Sequence, residues 1–346
     1  MRKRHALPRI AAAAIVIAVT AAACSSDTTS PGTDGSDGSS LSGPTGSINV
    51  SGSSTVLPIS SLVAERFSSQ APQVSIKVDG PGTGDGFVLF CEGKTQVSDA
   101  SRPIEPDEEN ACKDAGIDYV ELKIGLDGIT VMTNPQNDFV QCLTKADLYA
   151  LFGPESDGFQ TWADANALDA ALGGEGAFPD AELSINAPGT ESGTYDAFIE
   201  LAGIEETALA QGVPEDKAGA LRTDYVSNPN DNVIIQGIEG TPASLGFVGF
   251  AYADLQGDAV KKIAIDGGDG CVDPTTETIA DGTYPLSRAL YIYVNTAEAA
   301  SNEALRAYID YYLSDDGIAS VTESDYVGLP ADQLESSRQA WDQAAA

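Results

Sequence analysis

Four short stretches of this sequence carry side chains suited to holding an anion: SGSSTVLPIS (Ser51 to Ser60), GPGTGDGF (Gly80 to Phe87), SDASRPI (Ser98 to Ile104) and GTESGTYDAF (Gly189 to Phe198). Hydroxyls and unpaired backbone N–H groups at the start of a helix either cap that helix or seat an anion at the positive end of its dipole. Three of the stretches sit where a strand-like run ends and a helix-like run begins. Taken singly, each reads as a glycine turn with a hydroxyl cap before it reads as an anion seat; three such ends converging on one cleft make an anion site. In the fourth, Asp99 and Arg102 stand three residues apart. On an open surface that pair is worth at most about 1 kcal/mol. Beside hydroxyl-rich turns, Arg102 can fork onto two anion oxygens, and Asp99 repels any anion that brings no proton. Phosphate carries a proton at neutral pH and sulfate does not, so an aspartate there selects phosphate.

The same residues exclude several chemistries. GPGTGDG lacks the Gly-Lys-Ser/Thr of a P-loop. GTESGT is not G-x-S-x-G, and the single histidine of the chain is His5, inside a leader, so no imidazole serves a serine nucleophile, a metal or a proton shuttle. AIDGGDGCVD reads as Asp-Gly turns before it reads as a calcium loop. No catalytic residue, metal ligand or cofactor is expected.

The leader is MRKRHALPRI, basic, followed by the apolar AAAAIVIAVT and by AAAC. The apolar run is shorter than the roughly 20 residues of a membrane span, and the whole reads as a secretion signal, residues 1–23, with Cys24 in a lipobox-like position for lipidation. Residues 24–46, rich in Ser, Gly, Thr, Asp and Pro, read as a flexible tether. Cleavage removes four of the 18 basic residues and none of the 52 acidic ones, which takes the net charge from −34 to −38. So acidic a surface excludes nucleic acid as a partner. Four cysteines remain: Cys91, Cys112, Cys142 and Cys271. An even number in an exported chain indicates disulfides. Three pairings are possible; proximity favours Cys91 with Cys112, which leaves Cys142 with Cys271.

The elements that must position these residues alternate. Strand-like SINVSG, VSIKVDG, YVELKIG, GITVMTN, ELSINAPG, LGFVGFAY, KKIAID and ALYIYVN are interleaved with helix-like runs such as ISSLVAERFSSQ and TYDAFIELAG. Alternation of this kind gives an α/β fold, in which ligands bind beyond the strand ends.

Taken in order, the four motifs resemble those of the phosphate-binding lipoprotein of the phosphate-specific ABC transporter. DLYALFG with TWAD, NDNVIIQGI, PASLGFVGFAYA, GTYPLSRALYIYVN and SDYVGLPADQLESSRQAW extend the likeness over residues 47–343. The resemblance implies a two-lobed solute-binding protein with two hinge crossovers and a central cleft. It acts as a monomer, closes over one inorganic phosphate and passes it to a membrane permease with its ATPase. By match, lobe 1 is residues 47–127 and 291–346, lobe 2 is 128–290, and the crossings fall near 125–134 and 290–295. The matched ligand set is Ser54, Thr55, Thr83, Asp99, Ser192, Gly193 and Thr194. Where many members carry an arginine four residues before the serine, this chain has Pro188, so Arg102 is the expected charge partner. The rival readings are a binder of another oxyanion, a surface sensor on the same scaffold and a phosphate-ester hydrolase.

Overall fold

The computed structural model describes residues 43–174, 177–190 and 192–345. The signal segment, Cys24 and the tether as far as Ser42 lie outside them. Strands follow in chain order: β1 (Gly46–Gly52), β2 (Val74–Asp79), β3 (Val97–Ala100), β4 (Tyr119–Thr133), β5 (Cys142–Thr144), β6 (Ser184–Ala187), β7 (Val226–Ser227), β8 (Ser244–Gly249), β9 (Lys261–Lys262), β10 (Ala264–Asp266), β11 (Cys271–Val272) and β12 (Ser287–Asn295). The helices that bear on the site or lead to it are α1 (Leu57–Gln70), α2 (Thr83–Cys91), α3 (Pro106–Asp114), α4 (Lys145–Phe152), α5 (Asn166–Ala171) and α6 (Gly193–Ala202).

Around α1 the physics is simple. Ile59, Val63 and Phe67 recur every four residues and are buried on one face, and Pro58 stands in the first turn, where its missing N–H leaves no bond unmade. The helix returns the chain so that β1 pairs in parallel with both β2 and β3, as strand–helix–strand alternation requires. The main sheet then runs β2-β1-β3-β12-β4-β8-β6-β7, with β9 also paired to β4.

The two expected strands YVELKIG and GITVMTN form one continuous strand, β4. It pairs antiparallel with β12 as far as Gly128 and with β8 from Ile129 onward. Ile124 packs in one hydrophobic core with Ile48, Val50, Ile59, Leu290 and Ile292, and Leu126 packs in another with Val131, Phe198, Phe247 and Leu286. The chain thus passes between cores at 124–126 on β4 and at 286–290 around the start of β12. Main-chain hydrogen bonds run both ways between Leu126 and Val327, 2.8 and 2.9 Å, so the segment after the helix Asp315–Glu323 straps β4 at the changeover. Residues Gly43–Ala346 form one compact unit.

Three further expectations shift. LGFVGFAY ends as a strand at Gly249, because its FAY opens the helix Phe250–Leu255; KKIAID divides into β9 and β10; and VSDA, read above only as a motif, is the central strand β3. Both disulfides form as paired above. Cys91–Cys112 ties α2 to α3, and Cys142–Cys271, 129 residues apart in sequence, joins the outer strands of the small sheet β11-β10-β5.

Candidate functional site

The glycines of the first two motifs serve packing before they serve any ligand. A Cβ on Gly52 would lie 1.9 Å from the Asp99 carbonyl oxygen, and one on Gly86 would lie 2.4 Å from Gly52 Cα. Only hydrogen side chains let α2 rest on the end of β1 beside β3. The same crossing is stitched by main chain: Ser53 N–H donates to the Asp99 C=O at 2.8 Å, and Gly82 N–H to the Gly52 C=O at 2.9 Å. Three strand-to-helix and strand-to-loop ends therefore meet at one point.

At that point lies a cavity of about 260 Å³ lined by Ser53, Ser54, Thr55, Gly82, Thr83, Gly84, Ser101, Arg102, Asp196, Glu200 and Arg288. The hydroxyls divide into cappers and presenters. Ser53 Oγ accepts from the Thr55 and Val56 N–H groups at 3.2 and 3.4 Å, which is capping; α1 proper begins at Leu57. Thr55 Oγ1 accepts from Arg288 Nη2 at 3.0 Å, and Thr83 Oγ1 accepts from Ser101 N–H at 3.2 Å and lies 3.1 Å from Ser101 Oγ, a bond in which either hydroxyl can donate. A hydroxyl that accepts in this way keeps its own hydrogen to donate.

The structure brings Ser54, Thr55, Thr83 and Arg102 to this wall but changes what Arg102 is able to do. Its Nη1 and Nη2 both bond the Glu108 carboxylate at 2.8 Å, Nη1 also donates to the Pro103 C=O, and Glu105 lies 3.3 Å from Nε. The fork expected to face an anion is closed on the first turn of α3. Arg288, at the head of β12, has the reach instead. Its Nη2 holds Thr55, its Nη1 donates to Glu200, and its Nε lies 3.3 Å from Asp127 Oδ2. Burial alone would lower the Arg288 pKa, but Asp127 and Glu200 more than offset it and hold the guanidinium charged. Burial pushes the Asp127 carboxyl up while Arg288 pulls it back. Asp196 is likewise raised by burial, against the pull of Arg288. Arg288 lies within SRALYIYVN, one of the stretches that carry the family likeness, and the signal that could have found it is one charge at the head of an otherwise apolar strand.

Asp99 and the Ser-Gly-Thr motif are placed less directly. The Asp99 carboxyl is fully buried behind the wall: Oδ1 accepts from Ser60 Oγ at 3.0 Å, Ser60 Oγ is 3.0 Å from Tyr312 Oη, and Oδ2 has no hydrogen-bond partner among the described residues. Burial, opposed by the Ser60 hydrogen bond, pushes its pKa up to about 7. Ser192 caps α6, its Oγ accepting from Thr194 N–H at 3.2 Å. Ser192, Gly193 and Thr194 are not on the cavity wall, yet Gly193 abuts it, since a Cβ there would stand 3.9 Å from Thr55 Cα and 4.0 Å from the Ser54 carbonyl oxygen.

The family model described as a PBP superfamily domain matches residues 27–316. Protein SphX of Synechocystis sp. is 39% identical over 287 residues, covering 82% of this chain and 79% of that protein. The phosphate-binding protein PstS of Staphylococcus haemolyticus is 34% identical over 280 residues, 81% of this chain and 80% of that protein. The chain belongs to the PBP superfamily and, within it, to the PstS family. A solved structure of a possible phosphate binding protein from Planctomyces limnophilus superposes with a TM-score of 0.78 at 35% identity, covering 88% of this chain and 100% of that one. An ABC-type phosphate transport receptor from Vibrio cholerae shares the fold at a TM-score of 0.57 and 21% identity. At Pro188, where the resemblance leads one to expect an arginine, the chain offers no side-chain cation, and the Pro188 carbonyl accepts a hydrogen bond from Tyr225 Oη at 2.7 Å.

Proposed function

We propose that this protein binds inorganic phosphate between its two cores and delivers it to the permease of an ABC importer, whose ATPase supplies the energy. The observation that carries the reading is the junction of Arg288 with Thr55 at 3.0 Å in a cavity that Ser54 and Thr83 also line. A buried guanidinium aimed at hydroxyl donors matches a tetrahedral oxyanion and no carbon-rich ligand. Ser192, Gly193 and Thr194 belong to the proposal through α6, whose N-terminus abuts Ser54 and Thr55 and completes the shell as the cleft tightens. Movement at the changeover on β4 and β12 opens and closes the halves, residues 47–127 with 291–346 and residues 128–290. Asp99 is the selector: its unpartnered Oδ2 is a buried acceptor that a protonated ligand can satisfy and sulfate cannot. Arg102, committed to Glu108, shapes the wall. Export, lipidation at Cys24 and attachment to the outer face of the cytoplasmic membrane are supported by the leader sequence, and no helix among the described residues is long and apolar enough to cross a membrane.

Isothermal titration of the phosphate-stripped exported chain, residues 25–346, with phosphate and then sulfate tests this. Phosphate should bind at about micromolar Kd or tighter, close to −8 kcal/mol, with no response to sulfate, and Asp99→Asn should lose that preference. Absence of phosphate heat together with absence of a thermal shift overturns the proposal.

A further inference from the structure

Beyond the one carboxylate that selects a protonated ligand, Asp99, an anion site has no evident use for acids, yet α6 turns two of them to this wall. Gly193, Asp196 and Glu200 are spaced three and four residues apart, hence on one helical face, and both acids line the cavity. Glu200 Oε2 accepts from Arg288 Nη1, the guanidinium arm beside the one that holds Thr55. Asp127 meets the same guanidinium at Nε. One positive charge is therefore faced by two acids in direct contact before any ligand arrives, with Asp196 nearby. A phosphate dianion added to that set is repelled unless one carboxylate withdraws.

The two contacts on Arg288 are not equivalent. Asp127 is 7% exposed and belongs to β4, the strand paired with Arg288's own, whereas the Glu200 side chain is 54% exposed and has water to turn into. Resting on the phosphate reading above, we infer that Glu200 is an internal competitor that holds the Arg288 guanidinium until phosphate displaces it. While seated, it joins α6 to Thr55 through the arginine and so ties the two sides of the cleft without ligand. Any anion that takes the guanidinium must first displace it, so Glu200 lowers the affinity of the site as a whole, while Asp99 decides which anion is held. Asp127, immobile and buried, only orients the arginine.

Titration of the exported chain and its Glu200→Gln and Asp127→Asn variants with phosphate and with sulfate separates these roles. Glu200→Gln should bind phosphate about fivefold more tightly, the effect of releasing one half-exposed ion pair, and Glu200→Ala should do the same, while Asp99 still excludes sulfate in both. Asp127→Asn, which removes an acid from the same guanidinium, should bind phosphate more weakly. Unchanged or weaker phosphate binding in both Glu200 variants, with the parent binding normally, overturns the competitor and leaves the phosphate reading intact. If neither parent nor variants bind phosphate, the phosphate reading falls and takes this inference with it.

Discussion

Two arginines that each follow a serine line the same cavity, Arg102 in the turn after β3 and Arg288 at the head of β12. They differ in what surrounds them. Arg102 is 28% exposed and forks onto Glu108, six residues away on the helix that the turn itself begins. Arg288 is 8% exposed and draws its partners from Asp127, Glu200 and Thr55, the nearest of them 88 residues distant. A cation satisfied by its own loop is a local brace, while one satisfied only by remote segments marks where those segments were brought together.

The sharpest way to break the comparison is to delete each arginine. Arg288→Ala leaves the buried Asp127 carboxylate without its cation; stability should fall by about 3–5 kcal/mol, and phosphate affinity by at least about a hundredfold, close to 3 kcal/mol. Arg102→Ala should cost at most about 1 kcal/mol and less than about tenfold in affinity. Urea unfolding and titration calorimetry read both, and a reversed order would return the charge partner to Arg102.

Asp99 sharpens the contrast from the acid side, being as buried as Asp127 but matched by a hydroxyl instead of an arginine. Its folded pKa of about 7 lies above the ordinary carboxyl value of about 3.9. The folded state thus holds the proton more tightly, and this contribution to stability is fully present below about pH 4 and lost as pH rises through 7. At 1.36 kcal/mol per unit the loss is on the order of 4 kcal/mol. Asp99→Asn should therefore be more stable than the parent at pH 8 and close to it at pH 4; equal pH slopes in urea unfolding would contradict this. The smallest contrast is between the disulfides. On a loop-entropy model, opening Cys142–Cys271 should cost about 5 kcal/mol and opening Cys91–Cys112 about 3 kcal/mol, measured on paired Cys→Ser variants.

Much of the architecture was legible because it is written in short-range pattern. Ile59, Val63 and Phe67 announce α1, the glycines of GPGTGDGF announce a tight junction, and four cysteines with one close pair announce the disulfides. The arginine was not legible, for a physical reason. Arg102 stands beside an acid and inside a motif, so spacing drew attention to it, whereas the partners of Arg288 are fixed by the β4–β12 register, which no local pattern reveals. Glu200 was hidden similarly: its place two turns after Gly193 is readable, but its target lies on another strand. Reading YVELKIG and GITVMTN as separate strands failed because the glycines at 125 and 128 look like breaks; a Cβ at either would come within 2.8 Å of Val321 or Ile279, so they are there for packing.

That unbroken strand has a consequence for how the molecule comes apart. Backbone amides of β4 find their partners in β12 on one half and in β8 on the other, with the change at Gly128 to Ile129. Whichever core loosens first strips hydrogen bonds from its own half of the strand and leaves the other half protected. Hydrogen–deuterium exchange along Tyr119–Thr133 is therefore a built-in record of the order in which the two cores unfold, written along fifteen consecutive residues.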